Sequence, residues 1–319
     1  MSFDTPDPCP ALPSASRDGV RLRTRLVLRT LVSLLLGCVA IWGPVLLVGK
    51  GVIPLFDTLF HPDPVTLSFA RRTCIFLGTI TGYWAYVRWH EKRRATELQI
   101  RLVPLILGGA SGAALVGLPI AVLFALGVYQ VVHFHGIQSS LLGVAGVIAI
   151  AAMLEELTFR CVLFRVVERH WGTSVALAVQ AVLFALQHLE NVAQGGVFDV
   201  VAMLVNVTLG GLLWAGVFIV TRNLWAVTAN HAAWNFTILL SGLPLSGIED
   251  WRALAPLESR YAGADWLTGG MFGPESSLVV ITLTTVPTIW LLRWAWRRGA
   301  FRGPDCMNSR RQDRPLLHR

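Results

Sequence analysis

The sequence predicts an all-α fold, a polytopic membrane helix bundle of about eight transmembrane helices. Three observations predict it. Hydrophobic side chains make up 54% of the 319 residues and charged ones only 14%, well under the roughly 25% charged content of soluble domains. The apolar residues are gathered into runs that can cross a hydrocarbon core about 30 Å thick. The charges left over fall mostly on alternate connections between those runs.

In chain order the runs are Leu31–Val48, Thr73–Val87, Val103–Val131, Leu141–Phe164, Ser174–His188, Val200–Val220, Leu224–Leu240 and Leu278–Leu292. The second and fifth are the shortest. The third carries Pro104 and Pro119 with Gly108, Gly112 and Gly117 between them, and small residues at four-residue spacing let a neighbouring helix approach closely. Trp89, Trp171, Trp225, Trp294 and Trp296 stand near run ends, where interfacial anchors belong.

Loop charges orient the bundle. Arg17, Arg21, Arg23, Arg25 and Arg29 precede the first run, Arg88, Lys92, Arg93, Arg94 and Arg101 separate the second from the third, and Arg293, Arg297, Arg298 and Arg302 follow the last. With eight spans these share one side, which the positive-inside rule makes cytoplasmic, with both termini inside. Ser241 to Ser277, with Glu249, Asp250, Glu258, Asp265 and Glu275, then lies outside; Arg71 and Arg72 dissent. The net charge of +8 is topological, so the expected surroundings are a lipid bilayer and no nucleic acid. The division expected is a disordered cytoplasmic N-terminus over 1–25, a transmembrane domain over 26–298 with its core at about 141–240, and a disordered basic tail over 299–319.

The first run is long enough to stay as a span and serve as its own insertion signal. Cys9, Cys38, Cys74, Cys161 and Cys306 show no paired spacing, which argues against a disulfide framework or a zinc knuckle. Arginine outnumbers lysine about twelve to one, pointing to a GC-rich bacterial genome and an inner-membrane location.

Glu155 and Glu156 stand in the middle of the fourth run, and ionisable groups inside a span are costly and mark functional sites. Arg160 is one turn beyond Glu156 on the same face, so it can pair that carboxylate, whereas Glu155 points about 100° away. His188 ends Phe184-Ala-Leu-Gln-His188, and His231 and Asn235 are four apart on one helix face. From a membrane boundary near Arg165, Glu155 is ten residues, roughly 15 Å, deep; His231 is eight residues, roughly 12 Å, beyond the turn at Arg222-Asn223. Glu155 and His188 are equally far from the turn at Trp171-Gly172. The groups therefore share one layer, an active site in the membrane interior expected to open toward the cytoplasm. There Glu155 can take a proton from a water and pass it to a leaving amine, and His188 can help hold that water. His231 and Asn235 can donate to an oxyanion. No Ser or Cys stands beside a base, so direct water attack is preferred.

Glu155-Glu156-x-x-x-Arg160, Phe184-x-x-x-His188 and His231-x-x-x-Asn235, in this order, resemble the CPBP intramembrane proteases, which include type II CAAX prenyl proteases and bacteriocin-processing or immunity proteins. The resemblance covers about Leu141 to Leu240, and Leu267 to Glu275 is similar to a loop of bacterial members. It implies that Glu155 activates water with His188, that His231 and Asn235 form the oxyanion side, and that Glu156, Arg160 and Phe184 support them. The substrate implied is a peptide or membrane protein, and no cofactor is implied. Three alternatives stay open. Glu155, His188 and His231 could form a His₂Glu zinc set, though no His-Glu-x-x-His accompanies them. A proton-coupled transporter could use the same groups, but repeated halves are not visible. A non-catalytic scaffold or immunity role is the third. His133 and His135, which flank Phe134, read as interfacial residues rather than metal ligands, and Glu275 reads as loop structure.

Overall fold

The computed structural model describes residues 17–248 and 250–304, with side chains from Thr24 onward apart from Asp250. Helix α1 (Arg17–Leu47) continues through a π-helical turn at Val48–Val52 into α2 (Ile53–Phe60). Asp63 then caps α3 (Pro64–Ala85), accepting from the backbone N–H of Val65 and Thr66 beside a proline at the first helical position, where its missing N–H has no cost. After α3 come α4 (Leu102–Ala125), strand β1 (Tyr129–Phe134), and α5 (Ser140–Glu156), which runs through a π-helical stretch at Leu157–Phe164 into α6 (Arg165–Trp171). Then follow α7 (Thr173–Gln187), α8 (Val197–Thr221), α9 (Leu224–Leu240), β2 (Leu257–Tyr261), the single-turn α10 (Asp265–Thr268) and α11 (Leu278–Arg297).

A long helical segment covers each of the eight apolar runs, but five are both long and apolar enough to cross a membrane: Thr24–Phe60, Leu102–Ala125, Ser140–Trp171, Val197–Thr221 and Leu278–Arg297. The other three depart from the expected eight spans for visible reasons. Helix α3 has Arg71 and Arg72 in its interior. Helices α7 and α9 have 15 and 17 residues, roughly 22 and 25 Å at 1.5 Å per residue.

Two boundaries also differ from expectation. The third run was expected to stay helical to Val131. It stops at Ala125, turns at Gly127 (φ 73°), and then forms β1, which pairs antiparallel with β2. Tyr129, Val131, Val132 and Phe134 suit a pleated ribbon better than a continuing helix. Residues 17–25, expected to be disordered, are the first turns of α1. The beginning of the expected basic tail is docked, because Thr173 N–H donates to Arg302 O at 2.9 Å and Arg302 N–H to Thr173 Oγ1 at 2.8 Å. Residues 1–16 and 305–319, the remainder of both termini, lie outside the described residues.

The core is built on α8 and α9, whose Met203, Ala215, Phe218, Leu224, Val227 and Ile238 are buried. Helix α4 fits against α9 because of the glycines read from the sequence. A Cβ on Gly112 would lie 2.0 Å from Asn230 O, and one on Gly108 would lie 2.3 Å from Ala226 O. Asn230 joins three helices there: its Nδ2 donates to Gly108 O (3.1 Å) and Ser111 Oγ (2.9 Å), and its Oδ1 accepts from Trp214 Nε1 (3.1 Å).

The two ends of the bundle are unlike. At one, Arg93 and Arg165 bond Glu97, Arg222 bonds Glu168, and Asn223 and Trp225 donate to the backbone of Gln99 and Leu98. This basic end gathers the loops that the charge pattern assigned to one side. The other end carries the β1–β2 ribbon and the segment from Ser241 to Ser277, which folds into a cap.

Candidate active site

Just after Glu155-Glu156 the helix widens into its π-helical stretch, a feature that recurs at functional sites. Arg160 comes back under Glu156, with Nη1 3.2 Å from Glu156 Oε1 and both side chains fully buried. This is the pairing that the spacing predicts. The guanidinium carbon sits 4.6 Å from the Phe184 ring centre and 5.6 Å from that of Trp214, within cation–π range.

Glu156 has a second partner besides Arg160. His231 Nδ1 lies 2.8 Å from the same Glu156 Oε1, while its Nε2 faces Glu155 Oε2 at 3.8 Å, too far for a direct hydrogen bond. One imidazole thus bridges two adjacent carboxylates of unlike character: the Glu155 side chain keeps 29% of its surface, Glu156 none. Trp214 of α8 stacks on the His231 ring at 3.7 Å and 19° and is itself held by Asn230, the residue before His231. Neither Trp214 nor Asn230 stood out in the sequence, because both look like ordinary interior residues of an apolar helix.

His188 is fixed from its own helix. Its Nδ1 lies 2.8 Å from Phe184 O, and because a carbonyl only accepts, Nδ1 carries the proton of that bond and Nε2 is left for the cavity. Phe184, one turn earlier, touches His188, Phe159 and Trp214 as well as Arg160, so its supporting position is that of the packing centre. Asn235 follows His231 by one turn.

Glu155, Phe184, His188, His231 and Asn235 all line one cavity of about 120 Å³. Glu156 and Arg160 stand behind its wall. The groups that the depth argument set at one level meet in this cavity, and one end of the bundle completes its wall. Leu245, Ser246, Ile248, Trp251 and Glu275 complete the wall, and they belong to the cap at the end opposite the basic loops. Matching depths along helices locates a layer and leaves its mouth undetermined.

The cap has its own buried acid. Glu275 accepts from Trp234 Nε1 (3.1 Å), from Ser246 N–H (2.8 Å) and from Ser246 Oγ–H (2.8 Å). Burial pushes its carboxyl above the ordinary glutamate range, against those hydrogen bonds. Ser246 adopts a left-handed conformation (φ 51°), uncommon for a non-glycine residue, and the Glu275 bonds hold it there. Glu275 is loop structure, as expected, but structure that closes the cavity.

Among the described residues no three His, Cys, Asp or Glu side chains converge as a metal ion requires. His133 and His135 sit on the exposed ribbon, with His135 Nε2 3.2 Å from Glu258 Oε2.

Residues 137–237 match the family model described as Rce1-like: Type II CAAX prenyl endopeptidase Rce1-like. The match runs from just before α5 to the last turns of α9 and contains Glu155, Glu156, Arg160, Phe184, His188, Trp214, Asn230, His231 and Asn235. The fold and the match define the class, a helical multi-pass membrane peptidase. More narrowly, over residues 137–237 the chain is similar to the CAAX-type endopeptidases of the CPBP family, which are hydrolases. No curated protein matches the chain.

Proposed function

We propose that the chain cleaves peptide bonds by direct water attack, with Glu155 as the general base. The observation that carries this reading is the division between the two adjacent glutamates. Glu156 is consumed by Arg160 and His231, whereas Glu155 faces the cavity beside His188, His231 and Asn235. A water is held by a hydrogen bond that it donates to His188 Nε2, and it gives its other proton to Glu155 as its oxygen attacks the substrate carbonyl. Asn235 Nδ2 and His231 Nε2 donate to the oxyanion, the contribution usually largest in acyl transfer. Collapse of the tetrahedral species breaks the C–N bond, and Glu155 passes its proton to the departing amine. His231 Nδ1 is turned to Glu156, which leaves Nε2 for the oxyanion.

The zinc reading uses Glu155, His188 and His231 as ligands, and the engagement of His231 Nδ1 by Glu156 leaves only Nε2 for a metal. The two readings part on one experiment with purified protein. Under the glutamic mechanism Asn235→Ala and His231→Ala each lower turnover by roughly 10²–10³, chelators leave the wild type active, and added zinc does not restore His231→Ala. Loss of stoichiometric zinc together with activity in His231→Ala would replace this mechanism with the metal one.

The substrate proposed is a peptide precursor or membrane protein, in a bacterial inner membrane, with both termini of the enzyme in the cytoplasm and the cap outside. A reporter fused after Arg302 should then read cytoplasm and one inserted near Glu258 the outside; the reverse at both sites would invert the topology.

A further inference from the structure

Asn206 has no part in the mechanism above, yet it lies on the cavity wall with only 5% of its surface exposed. Its carboxamide makes no hydrogen bond to any described residue, although an amide of this kind offers two donors and an acceptor. The amide is not sealed in the interior but borders the cavity, so its donors and acceptor are open to a ligand there. The neighbouring asparagine on the cap side is different, since Asn191 Nδ2 is engaged by Ser246 O at 2.9 Å. The geometry of α8 gives Asn206 a definite relation to the reaction centre. Asn206, Gly210 and Trp214 follow at four-residue spacing and all line the cavity, so they form one stripe. Trp214 ends the stripe against His231. Gly210 keeps the middle of the stripe low: a Cβ there would lie 3.0 Å from the Trp214 ring.

We infer that Asn206 is a substrate-binding residue that pairs with a main-chain amide of the bound peptide, holding it extended along α8 between the cap and His231. A peptide bond has one N–H and one C=O, the complement of a carboxamide, and recognition through it is independent of side-chain identity. Asn206 is eight residues from Trp214, roughly 12 Å along the helix, and an extended chain advances about 3.3 Å per residue. The paired amide is therefore three or four residues from the scissile bond. This inference rests on the peptidase reading of the same cavity.

The test uses the full chain in detergent and a panel of fluorescence-quenched peptides. A peptide cleaved by the wild type and untouched by Glu155→Gln is remade with single amide-to-ester replacements along its length. Each ester removes one N–H and weakens one carbonyl as an acceptor. One ester, three or four residues from the cleavage site, should lower kcat/KM roughly tenfold or more in the wild type, mainly through KM. The same ester should make no difference in Asn206→Leu or Asn206→Ala, which lose no protein hydrogen bond and should unfold at the wild-type temperature. Ester effects that are the same in wild type and both variants would overturn the inference while leaving the peptidase reading intact. Failure of the wild type to cleave any peptide of the panel would overturn both.

Discussion

The basic end of the bundle and the layer halfway along it both bury carboxylates beside arginines, and they treat them differently. At the basic end Glu168 accepts from Arg222 Nη2 at 2.9 Å, from its Nη1 and from Thr173 Oγ1 at 2.6 Å, while Glu97 is held by Tyr83, Arg93 and Arg165. In the middle layer Glu156 Oε2 and Arg160 Nε are buried without a hydrogen-bond partner among the described residues, and Glu155 is turned to the cavity. Charges at the basic end are saturated by protein, as groups that fasten helices together should be. Charges in the middle are incompletely paired, and an incompletely satisfied polar layer in a low-dielectric interior is poised to act on something else.

That contrast can be tested from both sides. The largest effect is expected from Arg160→Ala, which leaves Glu156 with His231 as its remaining charged partner and empties the space between Phe184 and Trp214. Breaking a buried pair in this way costs roughly 3–5 kcal/mol, so the variant should give little folded protein by size-exclusion chromatography. A wild-type yield and unfolding temperature would mean that Arg160 is not structural. A smaller effect, roughly 1–3 kcal/mol, is expected from Glu168→Gln, which weakens the join of α6 with Arg222 at the end of α8. Its folded fraction should turn over substrate at the wild-type rate. A large loss of turnover there would erase the distinction between the two layers.

The sequence made the central layer legible because its signals are local. Glu155 and Glu156 stand out against an apolar run, and Glu156 to Arg160 and His231 to Asn235 repeat at helical spacing. Equal distances from the turn at Trp171-Gly172 brought Glu155 and His188 to one level. What stayed hidden depends on contacts across the fold. The bond from His231 to Glu156 joins residues 75 apart, and no spacing rule reaches that far. Trp214 and Asn206 are read as helix interior until the cavity shows which face they present. The cap was hidden for another reason: Ser246 and Glu275 meet through a loop whose path follows from tertiary packing. The ribbon at Tyr129–Phe134 was legible in principle, since Gly127 and the β-branched and aromatic residues after it argue for a strand, but its apolar character merged it with the preceding run.

The claim that matters most is that two neighbouring carboxylates have separate duties, one chemical and one structural. Its most direct test is to measure turnover and thermal unfolding for Glu155→Gln and Glu156→Gln side by side, in the same detergent and on the same cleaved peptide. Glu155→Gln should unfold with the wild type and lose cleavage by at least the roughly 10²–10⁴ attributable to a general base, because the amide keeps the shape but cannot accept the water's proton. Glu156→Gln should unfold at a clearly lower temperature and keep measurable cleavage in whatever fraction remains folded. Wild-type turnover by Glu155→Gln, or loss of fold in Glu155→Gln with stability retained in Glu156→Gln, would contradict the account.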